Sequence, residues 1–535
     1  MKKTTFIIAF AALMCGEIFA GGLMTNTNQS ASFNRNPSRG ASLDLDAVYF
    51  NPAGLGFLTN GFHLSLNNQT IFQNRVIETT APGLNVTQFN GKVSAPIFPS
   101  VYAVYKMDNL AFSFGFNPIG GGGGAKYDEG LPSFERQIAG IARALTANNI
   151  PTTRYSHDVQ FEGSSLFLGF QGALTYKVSE MLSLSAGVRY VSAKNTYVGY
   201  LKDIKINPNQ PAFGAQFNGI NMVAAPVFFT AASQTLAGWA TGATQYVAGL
   251  QPIITGGGGS VLLANGTTVG LTAAQVQQIQ GLIQAAGQNP AGVTIAQAQG
   301  ILNAAAPVFS VTSAVMANNA AMSQDIEVDA KQTGSGFAPL FGFTFKPSED
   351  LVIGFKYEHK TPLTLKTATV VDGTGMFPNG KEVSNDMPSM FSLGVGYQVS
   401  PKLKLSGTGH YYLDRSANYG KEINNVAVAN TEVIDRNFWE AAFGLEYQLN
   451  SELMISMGYL RTQTGVNEKY QSDLSHSLNT NTLAGGFRYS FSNKTALNLG
   501  VMNTWYSPDT KAFTGFTDTY KRSAFVFGFG VDFSL

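Results

Sequence analysis

The chain has 535 residues and a formal net charge of +1, with 13% charged, 44% hydrophobic and 12% aromatic residues. No basic excess or stripe is available to neutralise phosphates, so nucleic acid is excluded as a partner class. The single cysteine, Cys15, lies within the first twenty residues, so nothing beyond them can be held by a disulfide.

Residues 1–20 read as a secretory signal peptide. Lys2 and Lys3 are its basic start, Phe6 to Met14 its apolar run, and Ile18-Phe19-Ala20 its small-residue end. The run is too short to cross a bilayer as a helix. Without Lys2, Lys3 and Glu17, basic and acidic residues are equal in number, and no other apolar run reads as a membrane helix. An exported, cysteine-free, glycine- and aromatic-rich chain fits two classes, a soluble β protein or an outer-membrane β-barrel.

Residues 21–60 precede any strand pattern. They are rich in Asn, Ser and Gly, yet Asp46-Ala47-Val48-Tyr49-Phe50-Asn51-Pro52-Ala53-Gly54-Leu55 carries an apolar centre that requires burial. From residue 61 the period becomes two. The pattern predicts strands at 61–79, 91–106, 110–117, 164–177, 181–200, 335–346, 350–369, 388–399, 402–414, 437–449, 452–465, 480–492, 495–507 and 522–534. Most reach the ~9–11 residues that cross a bilayer when tilted. Six tight polar turns, such as Lys177–Met181 and Gln448–Glu452, join every second pair, and the remaining links are longer. Regular alternation of short and long links is the plan of an outer-membrane barrel. The expectation is therefore an all-β transmembrane fold, a 14-stranded antiparallel outer-membrane β-barrel over 61–535. The 21–60 segment is expected in its lumen as a hatch, since fourteen strands left open would form a wide pore.

The third strand runs into Gly115, Asn117 and Pro118 and then five glycines. Pro118 cannot donate to a ladder and glycine weakens one, so a local wall defect is expected here. The same residues suit the start of a loop. A helix is expected over Ser133–Asn148. Residues 206–333 form a long insertion between strands, and 206–324 contain no Lys, Arg, Asp or Glu. Capping boxes at Thr272–Gln275 and Thr294–Gln297 predict two helices there. A second Asn-Pro-Ala-Gly, at Asn289–Gly292, separates them as a plain turn. On this partly helical extracellular loop, Phe228, Phe229, Trp239, Val276, Ile279 and Ile283 are candidates to capture an apolar ligand. The loop could equally cap the barrel.

Gln29-Ser30-Ala31, Arg39-Gly40-Ala41-Ser42 and the Asp46–Leu55 stretch around Asn51, Pro52, Ala53 and Gly54 resemble the FadL/TodX (OMPP1) family of outer-membrane transporters of hydrophobic compounds. The resemblance implies a fourteen-stranded barrel with an N-terminal hatch. It implies capture of an apolar ligand by outer loops, binding in the lumen, hatch rearrangement gated at Asn51–Gly54, and sideways release at a kink in the third strand.

Five scattered histidines and the absence of a phosphate loop give no enzyme signature; His410 near Ser406 lacks a partner carboxylate in a recognisable context. No catalytic residue, metal or cofactor is expected. Arg189, Lys404, Glu440 and Glu446 are lumen-side polar candidates to steady a ligand headgroup. The leading reading is passive uptake of fatty acid-like or other apolar molecules by a monomer surrounded by outer-membrane lipid. A small-solute porin and an adhesive or structural surface barrel are the alternatives.

Overall fold

A computed structural model describes residues 30–423 and 426–535. The expected signal peptide, hatch residues 21–29 and Gln29 of the family motif lie outside the described residues. The described residues divide into two units, one of residues 30–136, 159–200 and 326–535 and the other of Gln137–Asp158 and Leu201–Asp325.

The first unit is built on fourteen long antiparallel strands: β1 (Gly61–Thr79), β2 (Gln88–Met107), β3 (Leu110–Tyr127), β4 (Thr152–Lys177), β5 (Leu182–Pro208), β6 (Ile326–Phe345), β7 (Leu351–Glu358, resuming at Thr364–Asp372), β8 (Met390–Ser400), β9 (Leu403–Tyr412), β10 (Trp439–Gln448), β11 (Leu453–Gln463), β12 (Thr480–Ser490), β13 (Thr495–Tyr506) and β14 (Phe516–Ser534). Each pairs with its sequence neighbours, and β14 pairs with β1 from His63↔Ser534 to Thr79↔Asp518, which closes the sheet. Closure leaves no open edge for lipid to meet. The short links fall between β2/β3, β4/β5, β6/β7, β8/β9, β10/β11 and β12/β13, as the turn pattern predicts.

The alternation has a physical direction. Phe443, Leu445, Phe525, Phe527 and Phe529 are exposed, while Glu440, Glu446 and Asp532 on the same strands are buried. Apolar outside and polar inside is stable only where the outside is not water.

Three strand expectations change. The third strand does not stop at Asn117; it continues through the glycines to Tyr127 because β4 keeps pairing with it. β4 starts at Thr152, well before residue 164, where charged Arg154, Asp158 and Glu162 hide the apolar period while the backbone remains in the sheet. β7 breaks at residues 359–363, where Pro362 has no N–H to donate.

The second unit holds the ends of β4 and β5 at 152–158 and 201–208 and is otherwise mainly helical. Pro132–Ala147 (α3) enters it, close to the expected 133–148. Its main pair is Ala225–Thr255 (α4) and Ile295–Met322 (α6), with Ala273–Ala285 (α5) between them in sequence. Ser233 bonds Ser313 and Gln299 bonds the Val247 carbonyl, so α4 and α6 run antiparallel. Both predicted capping boxes form, at Thr272/Gln275 and Thr294/Gln297. α6 has 28 residues and is long and apolar enough to cross a membrane, which corrects the expectation that no such run follows residue 20. Interspersed Asn, Gln and Ser disguise this uncharged segment in the sequence. α4 has no sequence forecast; uncharged residues surround it and leave no polar face to reveal the period.

Candidate functional site

Residues 30–58 fill the inside of the barrel unit. They form a five-residue helix, Ala31–Arg35, capped by Ser30, whose hydroxyl accepts from the Phe33 N–H at 3.0 Å. Ala47–Phe50 and the 3₁₀ turn Pro52–Phe57 follow. Phe33 stacks on Phe50 at 5.5 Å, and Val48, Tyr49 and Leu55 join a core with Ile71, Phe98 and Phe167 of the wall.

The wall receives this segment on glycines. A Cβ at Gly444 would lie 1.9 Å from Asn36 Oδ1, one at Gly528 would lie 2.2 Å from Asn34 Nδ2, and one at Gly394 would lie 2.3 Å from the Gly40 carbonyl carbon. Side chains at these lumen-facing positions would displace the hatch. Gly115 belongs to the same track, since its Cβ would stand 2.9 Å from Val48.

Charge holds what the glycines admit. Arg35, fully buried, donates to Glu446 Oε1 at 2.6 Å, Ser456 at 2.5 Å and Asn498 at 3.2 Å. Arg39 grips both oxygens of Asp46, at 2.6 and 2.8 Å, and donates to Asp44 and Ser42. The Arg39 guanidinium holds the Asp44 carboxyl well below the usual carboxylate range, with Arg488 and Lys404 adding to the effect and burial opposing it. Arg189 bonds Glu358 and Gln171 and lies over the Tyr49 ring at 4.7 Å. Lys356 bridges Glu358 and the Tyr49 carbonyl at 3.2 and 3.0 Å. Of the four lumen polar candidates, Arg189 and Glu446 therefore clamp the hatch. Glu440 accepts from Tyr412 and Thr462, and Lys404 sits in the field of Asp44 and Glu446.

The two Asn-Pro-Ala-Gly copies differ physically. Asn51 donates to the Phe343 carbonyl and Thr344 of β6, both at 3.1 Å, and the Pro52 carbonyl accepts from Thr175 at 2.8 Å. Ala53 is fully buried, and a Cβ at Gly54 would meet the Ser42 carbonyl at 2.2 Å. Asn289–Gly292 is a self-contained turn; Asn289 accepts from the Ala291 N–H, and Gly292 has φ +75°.

Beside the hatch the wall has a seam. β2 and β3 pair from Met107↔Leu110 to Val101↔Phe116, then meet again only at Lys92↔Lys126 and Gly91↔Tyr127. Among the described residues, 93–100 and 117–125 form no pairs with each other. β3 turns instead toward β4 through two bulges, at Pro118/Gly120 and Gly121/Gly123. Gly121 has φ +83°, open to glycine alone without strain. Asn117 is buried and its amide bonds the Pro118 carbonyl. On β2 the seam holds Pro96 and Pro99, neither of which can donate across it. Sequence reasoning named Gly115, Asn117 and Pro118 but missed these two; the signal was an Ala95-Pro96-Ile97-Phe98-Pro99 run inside a strand pattern.

In the helical unit, Phe228 and Phe229 are buried, as are Val276, Ile279 and Ile283, which pack with Leu250, Leu263 and Leu302. Trp239 lies between Phe213 and Phe309. The candidates for capture thus build this unit's core. Its exposed apolar positions are Ile220, Val227, Val308 and Val311, and an open groove of about 620 Å³ runs past Ile204, Val227 and Ser323.

His410 has no hydrogen-bond partner at Nδ1, and Ser406 bonds the Gly444 carbonyl and Asn36, so the two do not form a nucleophile–base pair.

No protein-family model matches the chain, and no curated protein sequence matches it. Solved structures do. A Pseudomonas aeruginosa FadL homologue superposes with a TM-score of 0.54 at 13% identity, over 96% of this chain and 99% of that one. The toluene transporter TodX of Pseudomonas putida gives 0.50 at 15% identity, over 95% and 99%. The chain shares the fold of FadL-type barrels.

Proposed function

We propose that this protein carries hydrophobic molecules passively across an outer membrane, into which an export signal at residues 1–20 delivers it. The observation that supports this reading best is the unpaired β2–β3 seam, whose Phe98 belongs to the same apolar core as Val48 and Phe50 of the hatch. An apolar ligand captured by the helical segment is bound in the lumen. It leaves sideways through the seam once Asn51–Gly54 releases β6. The apolar path spares such a ligand a return to water. The likeness to a toluene transporter and a FadL homologue agrees with this class of cargo. The protein works as a monomer in outer-membrane lipid, without cofactor or catalysis. A simple porin is disfavoured by the tightly packed hatch.

Removing Ile119 and Gly122, the two residues bulged out of the β3–β4 ladder, should straighten β3 and close the seam. Cells carrying this deletion should lose uptake of labelled toluene and long-chain fatty acid, with the barrel still folded by its heat-modifiable gel mobility. Unchanged uptake by a correctly folded deletion protein would refute lateral release. Equal uptake by cells with and without the native protein would refute transport itself.

A further inference from the structure

Strand β1 carries two polar residues on the face that meets lipid. Its lumen-facing positions include Ser65, Asn67 and Gln69, all buried, and Asn67 accepts from the Ala31 N–H of the hatch at 3.1 Å. The alternate positions face outward, and Phe62, Leu66 and Phe72 among them are exposed. Asn68 and Thr70 fall in that outward register, with Leu66 before them and Phe72 after. A polar side chain inside an apolar outer band is costly unless it has a hydrogen-bond partner.

The partners lie on the seam. β1 pairs with β2 at Gln69↔Phe98 and next at Ile71↔Ala95, so Pro96 and Ile97 bulge out opposite Thr70. On its other side, β2 forms no pair with β3 over 93–100. Among the described residues, Pro96 and Ile97 therefore have no ladder partner on either side. Side chains of β1 fill the gap. The Pro96 carbonyl accepts from Asn68 Nδ2 at 3.2 Å and from Thr70 Oγ1 at 3.0 Å. Asn68 Oδ1 accepts from the Phe98 N–H at 2.9 Å. A carboxamide offers a donor and an acceptor together, as a peptide group does, so Asn68 stands in for the missing rung. β1 itself is fixed, since it pairs with β14 without a break through this region, Thr70↔Phe527 included. The held segment reaches both sides of the wall. Ile97 is 76% exposed, whereas Phe98 belongs to the apolar core of the hatch. Asn68 binds the N–H of Phe98 itself and so fixes where that ring stands.

We propose that Asn68 and Thr70 are positioning residues for the lateral exit. They hold Pro96–Phe98 out of the ladder, with Phe98 turned to the hatch core and the freed Pro96 carbonyl and Phe98 N–H satisfied. Backbone groups left unpaired toward lipid would otherwise seek partners and collapse the gap between β2 and β3. The proposal rests on the sideways-release reading and names what holds that exit in place.

The test compares the full chain with N68L/T70V, which places apolar side chains on a lipid-facing strand and so favours a folded barrel, checked by heat-modifiable gel mobility. Saturated uptake of labelled toluene by cells should fall by about tenfold or more, the scale of two or three hydrogen bonds. The affinity of purified protein in lipid nanodiscs for toluene should stay unchanged. T70V alone, which leaves the Pro96 carbonyl one donor, should fall less, and T70S, which keeps the hydroxyl, should not fall. No cysteine follows residue 20, so a nitroxide attached at Ile97→Cys reports on this segment alone. Its spectrum should be ordered beside native Asn68 and Thr70 and mobile in N68L/T70V. Unchanged uptake by folded N68L/T70V overturns the proposal, whatever the spectrum shows. Equal losses of uptake and affinity overturn it too, since the two residues would then shape the binding lumen. The Ile119/Gly122 deletion separates the two readings. If it also leaves uptake intact, sideways release itself fails; if it blocks uptake while N68L/T70V does not, only the role of Asn68 and Thr70 fails.

Discussion

Substituting Arg35 by Met probes how the hatch is held. Arg35 is fully buried and donates three hydrogen bonds to three different strands, through Glu446 of β10, Ser456 of β11 and Asn498 of β13. Methionine keeps much of the volume and removes the charge, leaving Glu446 buried with Arg39 at 3.5 Å and Lys404 opposite it in the ladder. Breaking a buried pair by deleting one partner costs about 3–5 kcal/mol, and the remaining Arg39 contact argues for the lower end. About 3 kcal/mol corresponds to roughly a hundredfold shift toward an unseated hatch. In a planar bilayer, the frequency of ion-conducting openings should rise by about that factor, since an unseated hatch opens a wide lumen. Adding Glu446→Gln should recover part of the loss, because no buried charge is then left unpaired. Lys126→Ala is the control. Its ion pair with Asp128 is exposed on both sides, so openings should not change. If R35M opens no more often than native protein, and amide exchange in residues 30–58 is also unchanged, the buried pairs do not hold the hatch.

Gly444→Ala should destabilise the barrel by about 1–3 kcal/mol, because its methyl group meets Asn36, whereas Gly172→Ala, with open space around it, should be silent; urea unfolding in lipid vesicles separates them. Asp414, in the loop after β9, is pushed up to about 6 by burial. A raised carboxyl pKa favours the protonated fold, so local stability is full below about pH 4 and falls as pH rises to about 6 and beyond. Hydrogen exchange at the Phe438 N–H, which donates to Asp414, should quicken across that window, and Asp414→Asn should flatten the dependence. Thr294→Ala removes the capping box of α6 and should cost about 1 kcal/mol, seen as faster exchange at residues 295–298.

Much of this architecture is written locally. Period-two alternation, six polar turns and the long links between them depend on near neighbours in the chain, so the fourteen strands and their order can be read directly. The cap residues Thr272 and Thr294 are equally local, each acting on a partner three residues away. The Asn51–Gly54 turn marked a hatch by its position ahead of the first strand. Its reasons are tertiary: Asn51 reaches β6, nearly three hundred residues away.

What the sequence could not specify is which lumen side chains meet. Arg35 and Glu446, or Arg75 and Arg522, become neighbours only when the sheet closes β1 onto β14 and the hatch is inside it. The seam was half legible, because proline and glycine on β3 announce a weak ladder, but the gap also requires Pro96 and Pro99 on the facing strand and two bulges that turn β3 toward β4. Alternation tells a residue which face it occupies. Only closure tells it whom it faces.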